Sequence, residues 1–519
     1  MRRWIGFVAI GVAIVGIVLV VGLWIEASRL QGVIRSRALH TLETHFHGSV
    51  KYDALDVALF PRARVTIRGL VVRHNARTDL PPLIEAQKIE VEASLMGLLL
   101  PHPHVKRVYL YGLQIHTPPR VPGGKPMIQP TEQDLAKKYP VLVEDIHADD
   151  VVLTVLRSDT SKPPREFDIH HLEMKDFSFD RPAAFTAMLT NHVPRGEIVS
   201  SGKFGPWQGD EPSSTPLNAS FTFDHADMST LKGLRGFLSS KGSYGGPLDY
   251  LHVDGETDTP DFALRTAKHP LDLHTDYTAI VDGTNGNTYL KKVAAKFLNT
   301  EIDASGEVVG VEGEKGRQIE LDAVADDARI EDILRLVVSS DEPLMTGAVK
   351  LKTKILIPPG NDGANGDLLD RLKLDGQFGV VEARFTSPET QDKIDSLSRR
   401  GQGRPKDTDV DNEVSALQGA FTVDNSVVKF SSLSFRVTGA AIRLAGTYNL
   451  DSGALDFHGH LKMDAKLSQT TTGVRSFFLK AVDPFFKGKN GGTDLPIKIT
   501  GTKDHPAFGL DLHDKSNPK

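Results

Sequence analysis

The 519-residue chain contains no cysteine. That absence excludes disulfides, zinc–thiolate sites, a thiol nucleophile and a lipidated-cysteine anchor. Short catalytic signatures are missing too. There is no G-x-S-x-G elbow, no G-x-x-x-x-G-K-[ST] phosphate loop and no H-E-x-x-H pair. Charge of one sign is not in excess: 61 basic and 67 acidic residues leave a net charge of -6. Nothing in that balance suggests nucleic acid as a partner. The chain therefore reads as a non-enzyme, with no cofactor and no metal.

Long hydrophobic runs are also scarce, and the exception is informative. Trp4 to Ile25, WIGFVAIGVAIVGIVLVVGLWI, carries no charge. It is long enough to cross roughly 30 Å of hydrocarbon as a helix, and Trp4 and Trp24 suit the two interfaces. Ile25-Glu26-Ala27 is a poor cleavage site, so the expectation is an uncleaved anchor. Residues 1–3 then form a short cytoplasmic tail, with the body on the far side. Arg2 and Arg3 before the span nearly balance Arg29, Arg35 and Arg37 after it, so orientation rests on the short tail.

Beyond the anchor, Leu30, Val33, Ile34, Ala38, Leu42 and Phe46 have helical spacing and predict a short amphipathic helix. The period then changes to two. Val65, Ile67 and Gly69 alternate with Thr66 and Arg68. Ile89, Val91, Ala93 and Leu95 alternate with Lys88, Glu90, Glu92 and Ser94. Val349, Leu351, Thr353, Ile355 and Ile357 alternate with Lys350, Lys352 and Lys354. Such segments are strands with one wet and one dry face.

The C-terminal part repeats the pattern as an antiparallel meander. Leu417, Gly419, Phe421 and Val423 share a face, as do Leu433, Phe435 and Val437. Ile442, Leu444, Gly446, Tyr448 and Leu450 follow, then Leu455, Phe457, Gly459, Leu461 and Met463. Asp424-Asn425 and Asp451-Ser452-Gly453 mark turns. Lys503-Asp504-His505 looks like a catalytic trio. Leu495, Ile497 and Ile499 before it, and Phe508, Leu510 and Leu512 after it, make it a hairpin turn instead.

Two helices interrupt the strands, over Arg329–Val338 and Val474–Gly488. The second carries Phe477, Phe478, Phe485 and Phe486 beside Arg475, Lys480 and Lys487. It reads either as a cap on the sheet or as an element that docks on lipid or a partner. Segments 118–131 and 387–412 read as loops or linkers. Asp407, Asp409 and Asp411 imitate the start of a calcium loop, but Asn412 and Gln418 stand where Gly and Glu are needed. His458 and His460 share a strand face without a third ligand in view, and read as solvated histidines.

Both ends resemble the AsmA-like family. At the C terminus the cues are G-x-Y-x-L-x-x-G-x-L-x-x-x-G, from Gly446 to Gly459, and P-x-x-I-x-G-T-x-x-x-P, from Pro496 to Pro506. At the N terminus they are the single span, the amphipathic helix, VTIRGLVVRH, IEVEASLMGLLLP and VKRVYLYGLQI. The resemblance implies a bacterial protein anchored in the inner membrane by residues 4–25, with its bulk in the periplasm. Larger members are repeating β-grooves linked to phospholipid transport toward the outer membrane, similar in architecture to eukaryotic chorein-type bridge proteins.

The expected fold is mainly β: an N-terminal transmembrane helix, then an extended antiparallel sheet curled into an elongated groove, with a few short amphipathic helices. Its parts are residues 26–120 (helix plus β module), 121–386 (β-rich middle), 387–412 (flexible linker) and 413–519 (C-terminal β module). A sheet with one continuous apolar face must hide it. It either forms a trough for acyl chains or closes into a core. In the trough reading Phe421, Phe435, Leu444, Tyr448, Phe457 and Leu461 contact membrane phospholipid. In the closed reading the chain is a non-transporting envelope scaffold or assembly factor. An envelope protein is a further candidate partner, through Phe477, Phe478, Phe485 and Phe486.

Overall fold

Alternation with a period of two becomes 25 strands, nearly all paired antiparallel in an open-sheet arrangement, with two α-helices among the described residues. The computed structural model describes residues 50–58, 63–73, 81–82, 84–93, 104–117, 142–155, 165–178, 180–206, 208, 212–267, 269–283, 285–311, 314, 316–338, 340, 342–360, 367–407, 413–470, 491–503 and 505–511. The span at 4–25, the helices expected around 30–46 and 474–488, and the loop at 118–131 lie outside them. Among the described residues no helix is long and apolar enough to cross a membrane.

The chain divides into two units. The first comprises Met1–Asp227, Leu238–Glu256 and Thr278–Thr288, and the second Met228–Phe237, Thr257–Tyr277 and Tyr289–Lys519. Strands β1 to β5 are Val50–Lys51, Ala54–Ala58, Ala63–Val72, Ile84–Ala93 and His104–Thr117. Strands β6 to β10 are Leu142–Val155, Arg165–Phe177, Ala183–His192, Arg195–Phe204 and Pro216–Asp227. All their pairings are antiparallel except β5 with β6, which run parallel. Antiparallel neighbours can be joined by a turn as short as two residues, whereas a parallel pair needs a long crossover. The 24 or so residues between Thr117 and Leu142 supply the length for one.

One face of this first unit is sealed. The row Ile67, Ile89, Leu110, Ala148, Leu172 and Ala187 crosses six strands in register, and no member is more than 2% exposed. The expected parity of β3 fails at one residue. Gly69 adopts φ 61° and has no partner on β4, so Leu70 and Val72 carry the buried face onward and Gly69 does not. A Cβ at Gly69 would lie 2.0 Å from Asp53 Oδ2, which together with the positive φ holds that position to glycine.

Strands β11 to β16 are Leu234–Arg235, Phe237–Pro247, Leu251–Leu264, Leu271–Val281, Thr288–Phe297 and Thr300–Val309. The second unit continues with β17 (Gln318–Arg329), β18 (Met345–Ile357), β19 (Lys373–Phe385), β20 (Ser415–Asp424) and β21 (Val427–Val437). It ends with β22 (Ala440–Asn449), β23 (Ala454–Met463), β24 (Thr493–Thr502) and β25 (His505–Leu510). Consecutive strands from β16 to β25 pair antiparallel. The expected hairpins form. Asn425 and Ser426 take φ 49° and 60° between β20 and β21, the left-handed pair that a two-residue hairpin turn requires. Lys503 and Asp504 separate Thr502 from its partner His505.

Helix α1 (Ile330–Val337) forms where its stripe was expected. Ile330 and Ile333 pack on a cluster of Ala325, Ala328, Val349, Val380 and Ala383. Asp332 is buried and its Oδ2 accepts from the Asn299 N–H and the Thr300 hydroxyl, both at 2.9 Å. The segment 387–412 is not simply a linker, because Pro388–Gly401 forms helix α2. Ser387 caps it, Pro388 opens it, Glu389 pairs with Lys393 one turn on, and Arg399 and Arg400 close it. Its buried residues are Gln391, Asp395, Ser398 and Gly401, so the docked face is polar and carries no apolar stripe. Gln391 donates to Asp395 at 2.8 Å, and the Ser398 hydroxyl donates to the Thr438 carbonyl at 3.0 Å.

Candidate functional site

In the second unit the apolar positions line up into rows that run straight across the strands. The longest is Ala325, Leu351, Phe378, Gly419, Leu433, Leu444, Gly459, Ile497 and Leu510, one residue from each of β17 to β25. A second contains Gly376, Phe421, Phe430, Gly446, Phe457, Ile499 and Phe508. Glycine and phenylalanine thus oppose each other on neighbouring strands at Phe378–Gly419, Gly376–Phe421, Phe430–Gly446 and Gly446–Phe457. The rings meet. Phe378 is 6.1 Å from Phe421, and Phe430 is 6.4 Å from Phe421 and 5.8 Å from Phe457, centroid to centroid. These are ordinary aromatic packing distances.

All six residues expected to line a common surface lie on this face. Phe421 and Phe457 are linked through Phe430. Phe435, Ile442 and Leu461 are successive partners across β21 to β23, and Tyr448 pairs with Leu455. Leu444 sits in the longest row. The structure adds Phe378, Phe430 and Phe508. Phe378 was legible in the alternation of Leu374, Gly376, Phe378 and Val380. Phe430 was hidden by an irregularity: Ser431 has no partner on β20, so parity shifts by one within β21. The helix residues Phe477, Phe478, Phe485 and Phe486 lie outside the described residues.

The burial of this face differs from that of the first unit. Phe421, Phe430, Phe435, Leu444, Tyr448 and Leu461 are half-buried, and Phe457 is 7% exposed. Toward the last strand exposure rises to 45% for Leu510 and 74% for Phe508. A continuous apolar surface of this kind marks an interaction site more often than a bare exterior.

Polar candidates resolve differently. His458 Nδ1 lies 2.6 Å from Asp511 Oδ2 and its Nε2 3.1 Å from Asp456, while His460 Nδ1 lies 2.9 Å from Asp494. The hydrogen bond to Asp511, with further help from Asp456, raises the His458 pKa above its ordinary value despite some desolvation. In the first unit Asp145, His147 and Glu173 gather their ligand atoms within 4.8 Å of one another. Arg107 already bonds Asp145 at 3.4 Å, Lys175 pairs with Glu173 at 3.2 Å, and His147 stacks on Tyr109 at 5.2 Å. The two carboxylates are thereby neutralised, and the cluster reads as a solvated polar patch. Asp145 and His147 stand two apart in sequence, but Glu173 joins them only through the pairing of β6 with β7.

A comparison of the chain with protein-family models, with curated proteins and with solved structures finds no match.

Proposed function

We propose that the chain is an envelope protein, anchored in the inner membrane by residues 4–25, that holds phospholipid acyl chains on the apolar face of β17–β25. In this reading it contributes to lipid transport or outer-membrane biogenesis. The observation that carries the proposal is the set of apolar rows, continuous over as many as nine strands and only half-buried. Acyl chains need a long dry surface without donors or acceptors, and such rows provide one. The AsmA-like resemblance at both chain ends supports the same reading.

The competing reading, a scaffold or assembly factor with a closed β core, has one observation in its favour. In the first unit the apolar row that crosses β3 to β8 is buried, with no member more than 2% exposed. Photo-crosslinking residues placed at Phe421, Phe435, Leu444, Tyr448, Phe457 and Leu461 separate the two in cells. Capture of phospholipid from these positions, and not from Thr447, Asp456 or Lys462 on the opposite face, is the expected result. Equal capture from both faces, or from neither, would remove the transport reading and leave the scaffold.

A further inference from the structure

A cleft of about 810 Å³ runs across β17 to β23, lined by polar side chains of the wet face and also by Leu351, Phe378, Gly419, Leu433, Leu444 and Gly459 of the longest apolar row. Its lining includes the small residues Gly379, Ala420 and Ala445. A Cβ at Gly379 would meet nothing within 4 Å, so the cleft is open above that residue. Around it stand Lys350, Lys352, Arg436 and Arg443, with Asp326 as a single carboxylate. Register places them in order: Lys350 faces Gly379, Gly379 faces Gln418, Gln418 faces Ser434, and Ser434 faces Arg443. Among the described residues none of the four cations makes an ion pair, whereas Lys354, next along the same face of β18, pairs with Asp322 at 3.7 Å.

A second, independent feature lies in the same place. Ser434 is 9% exposed, and its Oγ is buried without a hydrogen-bond partner. It is the sole such side-chain atom among the described residues. Buried hydroxyls are nearly always satisfied, so an orphan between an arginine and a glutamine calls for an account. A ligand oxygen would give it one.

We propose that this cleft binds the phosphate group of a phosphorylated organic ligand. Arg436 and Arg443 offer planar forks that match phosphate oxygens bidentately. Lys350 and Lys352 add charge from the opposite wall, and the Ser434 hydroxyl donates from beneath. The cleft falls within the size range of small-ligand sites and is far larger than one phosphate, so the ligand carries an organic body. The shared chemistry fits two sources, a phospholipid headgroup or a soluble phosphate ester. The four cations and Ser434 stand on the face opposite the apolar rows, and the inference does not depend on acyl chains binding there.

The test uses the full chain in a maltoside detergent, with two probes titrated by 31P NMR and calorimetry. One is glycerol 3-phosphate; the other is short-chain dihexanoyl phosphatidylglycerol below its micellar concentration. The expected result is saturable binding that Arg436→Gln with Arg443→Gln weakens at least about tenfold, because charge-assisted bonds are lost. Lys429→Gln, an exposed cation on the same face but outside the cleft, leaves binding unchanged. Ser434→Ala weakens binding while the melting temperature holds or rises, since an unsatisfied hydroxyl is removed. Equal affinity for both probes assigns the site to phosphate esters generally, and binding of the lipid alone assigns it to headgroups. No saturable binding of either probe at millimolar concentration would overturn the proposal. So would an unaffected double variant, or an equal loss from Lys429→Gln. Crosslinking from Phe421 and Phe457 in the Arg436→Gln, Arg443→Gln background stays as in the wild type, so failure of this site and failure of the groove are read separately.

Discussion

Replacing Asp332 by alanine should loosen α1 from the strands it covers. The carboxylate is 4% exposed and holds two donors, the Asn299 N–H and the Thr300 hydroxyl, each at 2.9 Å. Thr300 in turn accepts from the Arg329 N–H at 3.0 Å, at the residue that opens the helix. Alanine leaves both donors without an acceptor. A buried donor left unsatisfied costs about 1–3 kcal/mol. One of the two is a hydroxyl that can rotate, so the expected loss is about 3 kcal/mol rather than the full sum. For a unit of this size that corresponds to a fall in melting temperature of roughly 6–12 °C. Asn keeps an acceptor and loses only the charge, so Asp332→Asn should lose about half as much. Thermal melts of the full chain in detergent measure the loss, and hydrogen exchange at the Asn299 and Arg329 amides localises it. If Asp332→Ala melts with the wild type and those amides stay protected, the carboxylate does not hold the helix and the reasoning is wrong.

Glu331, on the same helix, lies partly desolvated, which raises its pKa. Hydrogen bonds from its own N–H, from Gly347 N–H and from Arg329 outweigh that and lower it overall. A lowered carboxylate contributes stability above the unfolded value, about 4.3, and loses it as pH falls through the folded value. Chemical denaturation should therefore show Glu331→Gln less stable at neutral pH, with the gap closing under acid; a constant gap would refute this. For His458, raised by Asp511, the sign is opposite: its contribution is complete below about 6.5 and fades as pH rises through the folded value. NMR titration should place its midpoint above that of a free histidine, and Asp511→Asn should bring it back. A Cβ at Gly459 would sit 1.9 Å from the Arg443 carbonyl oxygen, while one at Gly379 meets nothing within 4 Å. Gly459→Ala should cost about 1–3 kcal/mol as an overpacked site, and Gly379→Ala should melt like the wild type. Asp395 is 4% exposed and accepts from Gln391 at 2.8 Å and from the Glu413 N–H at 3.0 Å. Asp395→Ala should speed tryptic cleavage after Arg399 and Arg400, and unchanged cleavage would mean that α2 is held by something else.

Strand alternation was the most legible feature, because a half-buried sheet imposes it on every residue. The lysine-and-aliphatic pattern of Lys350 to Ile357 and the glycine-and-phenylalanine pattern of β22 and β23 survive unchanged in the structure. What escaped had physical causes. Helix α2 docks through glutamine, aspartate, serine and glycine, so no apolar stripe announced it. The parallel pairing of β5 with β6 depends on where a long connection returns, which local pattern does not encode. The cation-lined cleft draws on seven strands, β17 to β23. Each of its lysines and arginines taken singly is indistinguishable from an ordinary wet-face residue, and only the register gathers them. Ser434 looked like one more polar residue in a serine-rich strand until its buried oxygen was left without a partner.

The unpaired Ser431 has a consequence for how the gene can vary in length. Within β21, Val428 and Phe430 reach the dry face on one side of it, and Leu433 and Phe435 on the other. Losing a single residue other than Ser431 or the adjacent, equivalent Ser432 from the interior of that strand would turn one half of it inside out, exposing phenylalanine or leucine and burying serine or arginine. Losing Ser431 would not. Phe430, Ser432, Leu433 and Ser434 would then alternate without a break, and every remaining residue of the strand would keep its partner. In-frame deletions in natural or laboratory variants should therefore survive at this codon, or at its neighbour encoding the same amino acid, and be purged from the codons on either side.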